Sequence, residues 1–267
     1  MKSKKLSFIE TRDLLEENFL LYNQPSFIAS DPISIPHLYS KKQDIEIAGF
    51  LAATIAWGNR SSILTNAKRI MQLMNNSPHE FVLNFTETQA SFSSLKNFVH
   101  RTFNGEDLIY FILALQHIYR ENKDMESFFV KGYNKTDSDL KQAIAHFRNT
   151  FFELEHPKRT QKHVADTAKN SAAKRINLFL RWMVRKDTKG VDFGLWNKIP
   201  TAVLSCPLDV HSGTVARKLG LLQRTQNDWK ACAELTSNLK LFDANDPVKY
   251  DFALFGLGVN KALNINT

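Results

Sequence analysis

Hydrophobic residues recur at every third or fourth position through most of the chain, which is the spacing of one face of an α-helix. In the segment 105–119, Leu108, Phe111, Ile112 and Leu115 lie on such a face. The strict alternation of apolar and polar residues that marks a half-buried strand is hard to find. Only ten Gly and eight Pro interrupt the pattern, which therefore predicts an all-α fold.

Start and stop signals divide the chain into about ten helices. They are expected at 9–22, 44–56, 62–74, 77–85, 105–119, 125–133, 138–154, from 171 onward, at 212–219 and 228–241, and from 246 to Gly256 or Gly258. The segment 24–40 holds three prolines and is expected to be irregular. The segment 191–199 is expected to be a short helix or an ordered turn.

The segment 44–56 is the most apolar part of the chain. Hydrophobic residues surround nearly the whole predicted helix, so we expect it to lie buried at the centre of a helical layer. It runs into Trp57-Gly58-Asn59-Arg60, which is expected to stop the helix and leave a polar tip.

The net charge of +8 is concentrated in one segment. Residues 158–189 include ten basic and two acidic side chains, so this segment alone accounts for the charge of the whole chain. A localised basic segment favours a polyanionic partner, and nucleic acid is the commonest one. A solvated basic surface without a partner is the alternative.

The predicted helix that contains Lys174 would carry much of this charge on one side. If Lys174 is placed at 0° and each residue advances by about 100°, Arg181 falls at about 340° and Arg185 at about 20°. Ile176 and Met183 fall at about 200° and about 180°. One face of the helix is therefore predicted to be cationic and the opposite face to belong to the core.

Several classes of protein are excluded by composition. Two cysteines, Cys206 and Cys232, exclude a disulfide framework, a four-cysteine zinc site and an all-cysteine iron–sulfur cluster. The eight histidines have no metal-ligand spacing, so we expect neither a metal nor a cofactor. Acidic residues interrupt the N-terminal apolar stretch, and no apolar run could span a bilayer. The protein is expected to be cytoplasmic, monomeric and without membrane contact.

Two motifs resemble those of a known superfamily. The VDTH…RV…RLGL segment of helix-hairpin-helix DNA glycosylases, the superfamily of endonuclease III, resembles residues 208–211 (LDVH) and 215–221 (VARKLGL). The KEASHFLRN helix of the 8-oxoguanine branch is similar to the helix in which Lys174 precedes Phe179-Leu180-Arg181. The resemblance implies that Lys174 is a nucleophile and Asp209 an essential acid. It also makes Asn59 and Arg60 residues of a tip that approaches DNA. Together with the basic segment, this gives the predicted nucleic-acid contacts Asn59, Arg60, Lys169, Arg175, Arg181, Arg185 and His211.

The chemistry suits these residue types. Cleavage of an N-glycosidic bond builds positive charge on the sugar, which a carboxylate such as that of Asp209 stabilises. A neutral Lys174 amine could attack C1′ and form a Schiff base, and Arg181 and Arg185 are expected to disfavour its ammonium form. Three simpler roles stay open: Asp209 as an N-cap, Lys174 as a phosphate contact, and His211 as a structural residue.

The whole sequence looks still more like an uncharacterised bacterial family. Its hallmarks are a KRlNlFLRWMVR helix, the motif GLW at 194–196, the PLDvH turn and DPVKYDFAL at 246–254. The chain departs from the glycosylases in one respect: a helix-hairpin-helix usually turns on Gly-x-Gly, and residues 165–173 contain no glycine. A protein that binds DNA or RNA without catalysis, or a helical module that binds an acidic protein, is therefore an alternative.

The expectation from residues and resemblance together is a two-lobed, all-α, glycosylase-like protein. One lobe, a helical barrel ending in the basic helix, is expected at 43–199. The second is expected to combine 1–42 with 200–267, and a cleft between the lobes would hold Lys174 and Asp209. The expected partner is duplex DNA with a damaged or modified base, and RNA is not excluded.

Overall fold

A computed structural model of the chain describes residues 6–88 and 91–259, apart from the side chains of Ser91 and Val259. Helices dominate this part of the chain, which confirms the all-α class. Its α-helices are α1 (Phe8–Tyr22), α2 (Pro25–Ile28), α3 (Lys42–Thr54), α4 (Arg60–Leu73), α5 (Pro78–Asn84), α6 (Ser91–Lys96), α7 (Gly105–Glu121), α8 (Met125–Val130), α9 (Lys141–Phe151), α10 (Lys174–Val184), α11 (Val210–Lys218), α12 (Trp229–Lys240) and α13 (Tyr250–Val259). Short 3-10 helices lie at Pro32–Ser34, Pro36–Leu38, Lys158–His163, Thr201–Val203 and Pro247–Lys249. Antiparallel strands β1 (Val99–His100) and β2 (Phe103–Asn104) pair Val99 with Asn104. No helix in the described ranges combines the length and the apolar character needed to cross a membrane.

Most predicted helices are observed close to their expected positions. The apolar segment 44–56 overlaps α3 (Lys42–Thr54), in which every residue from Ile45 to Thr54 is buried. The segment 24–40 is more regular than predicted, because α2 and two 3-10 helices lie in it. Both 3-10 helices begin at a proline, Pro32 and Pro36, whose fixed φ suits a first helical position. The six-residue helix α6 was not predicted.

The chain divides into two compact units. Unit 1 comprises the described residues of Met1–Phe27, Asp137–Leu140 and Asp166–Thr267, and unit 2 those of Ile28–Thr136 and Lys141–Ala165. The division differs from the expected lobes chiefly at two places. Residues 28–42 belong to unit 2 and not to the unit that contains 200–259. Residues 166–199, which include α10, belong to unit 1 together with α11, α12 and α13.

Each unit has its own hydrophobic core. In unit 1, α13 packs against both α1 and α11, and Leu15, Leu235 and Leu254 are fully buried between the helices of this unit. In unit 2, phenylalanine rings meet at the centre: Phe50 of α3 lies 5.8 Å from Phe111 of α7, centroid to centroid. Such aromatic packing gives the many phenylalanines of the chain a role in the core.

Asp107, in the first turn of α7, anchors the 3-10 helix Lys158–His163 within unit 2. Its buried carboxylate accepts a hydrogen bond from Thr160 Oγ1 at 2.8 Å and lies 3.1 Å from the Arg159 guanidinium. Burial raises the pKa of Asp107, but the donors around it, His163 first among them, lower that pKa by more. The carboxylate therefore stays ionised and helps to hold residues Lys158–His163 in helical form.

The segment that follows α10 closes the end of that helix. The backbone N–H of Trp196 donates to the Met183 carbonyl at 2.9 Å, and so satisfies an oxygen that the last turn of a helix leaves unpaired. Gly194 takes a φ of 57°, and a Cβ there would lie 2.4 Å from Lys186 Cβ. The segment 191–199 is therefore an ordered turn and not a helix.

Gly105 begins α7 at a position that has no room for a side chain. A Cβ there would lie 2.2 Å from the backbone oxygen of Lys96 and 2.5 Å from that of Leu95. We expect Gly105→Ala to lower the free energy of unfolding by about 1–3 kcal/mol, because a backbone oxygen cannot move aside as a flexible side chain can. Urea denaturation measures the change. Gly258→Ala is the control, since the nearest atom to a Cβ there is 3.6 Å away, and equal stability of the two variants would contradict the packing argument.

Candidate active site

Lys174 is the first residue of α10. The chain enters the helix through Ala173, whose backbone is left-handed with φ of 49° and ψ of 37°, and no side chain caps the helix there. The rest of α10 is largely buried, from Ile176 to Val184. The Lys174 side chain, by contrast, is 33% exposed, so its amine stands at the accessible end of a core helix.

Asp209 caps α11. Its Oδ1 accepts hydrogen bonds from the backbone N–H groups of His211 at 2.8 Å and Ser212 at 2.9 Å. The backbone N–H of Asp209 donates in return to Ser212 Oγ at 2.9 Å, and this reciprocal arrangement fixes the orientation of the carboxylate. The other oxygen, Oδ2, lies 3.3 Å from Lys174 Nζ. The structure thus brings the two implied residues together, inside unit 1.

The neighbours of Asp209 determine its charge. Burial raises the pKa of Asp209, but the Lys174 ammonium and the backbone N–H groups of Ser212 and His211 outweigh burial and hold the pKa below its ordinary value. The carboxylate is therefore ionised at neutral pH. An ionised, oriented carboxylate can stabilise positive charge that develops on a group bound next to it.

A second, buried ion pair lies close to the first. Asp251 of α13 pairs with Arg181 of α10, and Arg181 Nε lies 3.2 Å from Asp192 Oδ1. Burial is the main reason why the pKa of Asp251 is raised to about 6, with Arg181 opposing the rise and Asp209 adding to it. The charge state of Asp209 is therefore coupled to a carboxylate inside the core.

Two neighbours of the pair were not identified from sequence. Asp251 lies in the apolar stretch of α13, where an unpaired carboxylate would be costly. A lone acidic residue among apolar ones was therefore a sequence signal for a buried, paired carboxylate. Asn227 donates from Nδ2 to the backbone oxygen of Asp209 at 3.0 Å. Nothing in the sequence around Asn227 distinguishes it from other polar residues before a helix.

The expected cationic face of α10 is not exposed, and this corrects the prediction for Arg181 and Arg185. They are only 3% and 1% exposed. Arg185 lies 3.0 Å from an oxygen of Asp192, 2.9 Å from Asp246 and 2.9 Å from Asp187. The helical angle gives the direction in which a residue points but not what packs there. These two arginines neutralise buried carboxylates and are not available to nucleic acid in the structure.

The other predicted contacts of unit 1 lie nearer the surface. The Lys169 side chain is 83% exposed and its amine lies 3.7 Å from Asp166. His211 is exposed as well. Arg175 is partly exposed, and burial lowers its pKa to about 10. Lys169, Arg175 and His211 thus accompany Lys174 as the predicted cationic or polar contacts of this unit.

Asn59 and Arg60 belong to unit 2. Asn59 is exposed and forms the N-cap of α4, where its Oδ1 accepts the backbone N–H of Ser62 at 3.2 Å. Gly58 before it takes a φ of 105°, so the predicted helix stop after α3 is observed. Whether this tip binds nucleic acid stays a prediction.

The segment 165–173 reaches left-handed backbone conformations without glycine. Asn170 has φ of 66° and Ala173 has φ of 49°. Asn170 tolerates this conformation, and its Nδ2 donates to Asp228 Oδ2 at 2.9 Å. Ala173 has only a methyl group, so its conformation is strained by roughly 1–2 kcal/mol.

Ala173→Gly is expected to raise the free energy of unfolding by about 1 kcal/mol, because glycine relieves the left-handed strain. Ala172→Gly, one position earlier and also buried, is the control and is expected to lower stability through the greater freedom of the unfolded chain. Thermal and urea unfolding measure both changes. Destabilisation by both substitutions would show that Ala173 is not strained.

Metal-ligating residues do not gather in the described part of the chain, where no group of three or more His, Cys, Asp or Glu could hold a metal ion. The two cysteines are both buried. Burial raises the pKa of the Cys206 thiol and raises that of Cys232 to about 12. Both thiols are therefore protonated at neutral pH and act as small buried groups.

Comparison with known proteins gives one result. A family model described as "Protein of unknown function (DUF2400)" matches residues 31–260 of the 267-residue chain. No curated protein and no solved structure matches.

Proposed function

The chain belongs to the DUF2400 family of proteins of unknown function, and we propose that it binds DNA and cleaves the N-glycosidic bond of a damaged or modified base through Lys174 and Asp209. One observation carries the proposal: Lys174 Nζ lies 3.3 Å from Asp209 Oδ2, with the two side chains 33% and 35% exposed. An amine and an ionised carboxylate that a ligand can reach together are the groups that this chemistry requires.

In the proposed reaction the bond between C1′ and the base nitrogen breaks, and its electron pair leaves with the base. Asp209 stabilises the positive charge that builds on the sugar. The Lys174 ammonium gives its proton to the departing base, and the amine forms a bond to C1′. The C1′–O4′ bond then breaks, a proton passes from the nitrogen to O4′, and an iminium remains. Water then hydrolyses it, or the loss of a C2′ proton expels the 3′ phosphate, which is the lyase reaction.

The charge distribution supports a polyanionic partner. Lys174 and Arg175 begin α10, Lys169 lies five positions before that helix, and His211 lies two positions from Asp209. The target nucleotide would have to leave the base stack to reach the amine. Phosphate contacts of this kind release counterions, so the affinity is expected to fall steeply with salt concentration.

A trapping experiment tests the function. The chain is incubated with duplexes that carry single damaged or modified bases, or an abasic site, in the presence of borohydride, which reduces an iminium to a stable amine. We expect a covalent protein–DNA adduct with at least one duplex and none with an undamaged duplex of the same sequence. If no lesion and no abasic site gives an adduct or a free base, the proposed catalysis is wrong.

A specific observation favours a second function, the binding of DNA or RNA without catalysis. The segment 165–173, which the resemblance assigns to the hairpin, contains no glycine, and Asn170 and Ala173 carry side chains at left-handed backbone positions, whereas hairpin glycines would let the backbone approach a phosphate. Nucleic-acid affinity without any trapped adduct would support this alternative. Affinity for duplex DNA that does not decrease with salt would point instead to an acidic protein partner.

A further inference from the structure

The helix α12 contacts both segments that carry the proposed catalytic residues. On the Lys174 side, Ser171 forms an antiparallel bridge with Asp228, the N-cap of α12. The backbone N–H of Trp229 donates to the Asn170 carbonyl at 3.0 Å. The chain that leads into α10 is therefore fixed to the start of α12.

On the Asp209 side, α12 binds both backbone groups of Cys206, three positions before the carboxylate. The Cys206 N–H donates to Thr236 Oγ1 at 3.0 Å, and the Cys232 thiol donates to the Cys206 carbonyl at 3.2 Å. Thr236 and Cys232 lie on adjacent turns of α12, and Thr236 Oγ1 also donates to the Cys232 carbonyl at 2.7 Å. The segment that leads into α11 is therefore held by two side chains of one helix.

The Cys232 thiol also meets α10. Asn177, one turn after Lys174, places its Nδ2 3.8 Å from Cys232 Sγ and donates to the Ala172 carbonyl at 3.1 Å. Asn177 is 2% exposed and Cys232 is fully buried. One thiol thus contacts the Lys174 helix through Asn177 and the Asp209 segment through Cys206.

We propose that Cys232 and Thr236 are positioning residues that set the distance between Lys174 Nζ and Asp209 Oδ2. Asp209 is rigid with respect to α11, because the capping box binds it to the first turn of that helix. Its distance from Lys174 therefore depends on how α11 is placed against α10. The helix α12 is hydrogen-bonded both to the segment that precedes α10 and to the segment that precedes α11. The catalytic consequence rests on the proposed function, whereas the geometric claim does not.

The pKa of the Asp209 carboxyl group, measured by carbon-13 NMR, reports on the distance between Lys174 Nζ and Asp209 Oδ2, because the effect of the lysine on the pKa weakens as the two groups separate. Lys174 lowers the pKa of Asp209, so Lys174→Ala gives the upper reference. Thr236→Val removes the acceptor for the Cys206 N–H at nearly constant volume and is expected to raise the pKa of Asp209 toward that reference, by about 0.5 pH unit.

Thr11→Val is the matched control. Thr11 is 4% exposed and Thr236 is 5% exposed, and Thr11 Oγ1 donates to the Ser7 carbonyl four positions earlier at 2.9 Å, as Thr236 does to Cys232. The loss of a buried helical hydroxyl is thus the same in both variants. We expect Thr11→Val to leave the Asp209 titration unchanged.

Cys232 supplies the second test. Cys232→Ala is expected to shift the Asp209 titration as Thr236→Val does, and Cys232→Ser, which keeps a donor, to restore it in part. If Cys232→Ala does not fold, the Asp209 titration of the nearly isosteric Thr236→Val variant decides whether α12 sets the distance. An Asp209 titration equal to that of the wild type in Thr236→Val would overturn the proposal.

The borohydride assay tests the proposed function and the titration tests the positioning role, and each result is independent of the other. Absence of a trapped adduct from the wild-type chain would refute the proposed function and leave the titration result standing. An unshifted titration in an active protein would refute the positioning role alone. In an active protein, the trapping rate of Thr236→Val is expected to fall about tenfold while that of Thr11→Val stays at the wild-type value.

Discussion

Replacement of Lys174 by alanine is expected to reduce the yield of borohydride-trapped adduct by about 1000-fold or more, because the variant lacks the amine that bonds to C1′. Duplex affinity is expected to change by no more than about fivefold, since one partly exposed charge contributes about 1 kcal/mol or less. Gel shift and trapping assays on the same lesion-bearing duplex measure the two effects. A large loss of adduct with nearly unchanged binding is the result that the nucleophile role requires.

Two further variants separate chemistry from charge. Lys169→Ala removes a lysine that is 83% exposed and is the control, expected to weaken binding slightly and to leave trapping per bound complex unchanged. Asp209→Asn keeps an N-cap side chain, since asparagine caps helices as well as aspartate does, and removes only the negative charge. We expect it to slow base release by about 100-fold or more.

The outcome also distinguishes the two candidate functions. If a trapped adduct persists in Lys174→Ala, another amine forms it and the assignment of the nucleophile is wrong. If the wild type gives no adduct and Lys174→Ala weakens binding, Lys174 is a phosphate contact, as the non-catalytic alternative has it. Each result therefore tests the role of Lys174, whose Nζ lies 3.3 Å from Asp209 Oδ2.

The pairing of Lys174 with Asp209 could be predicted from the sequence only through the resemblance. The LDVH motif placed an aspartate just before a helix, and the structure puts it at the N-cap of α11. Neither residue alone specifies the other, because the segments that carry them meet through α12, by way of Asp228 and Cys232. Such tertiary contacts leave no periodic pattern in the chain.

The errors over Arg181 and Arg185 have a related cause. The periodicity of α10 correctly separated them from Ile176 and Met183, but both sides of the helix proved to be buried. The partners of the arginines come from later segments, as with Asp251 on α13. Local pattern therefore predicted the helix and its core side, and it could not predict that carboxylates cover the other side.

For residues 191–199 the sequence left a short helix and an ordered turn open, and the structure shows the ordered turn. The Phe193 and Trp196 N–H groups donate to backbone carbonyls at the end of α10. Gly194, with its left-handed φ of 57°, was the local signal for a turn. Helix ends depend on such caps, which is why the existence of helices was predicted better than their bounds.

Replacement of Arg185 by methionine is expected to lower the free energy of unfolding by about 3–5 kcal/mol, the usual cost when a buried ion pair loses one partner. Methionine keeps much of the side-chain volume but leaves Asp187, Asp192 and Asp246 without their shared guanidinium. Urea unfolding measures the loss. Lys189→Met, at an exposed position of the same segment, is the control and is expected to change stability by less than about 0.5 kcal/mol.

The effect of Arg185→Met should depend on pH in a defined direction. Burial already raises the folded-state pKa of Asp246 above 3.8, and Arg185 opposes that rise, so the variant should raise it further. A carboxyl group with a raised folded-state pKa destabilises the protein increasingly as the pH climbs above the unfolded-state value. The stability difference between variant and wild type should therefore be largest at neutral pH and narrow as the pH falls toward 4. A difference that is small at neutral pH, or that widens in acid, would mean that Arg185 does not compensate the charge of the buried carboxylates.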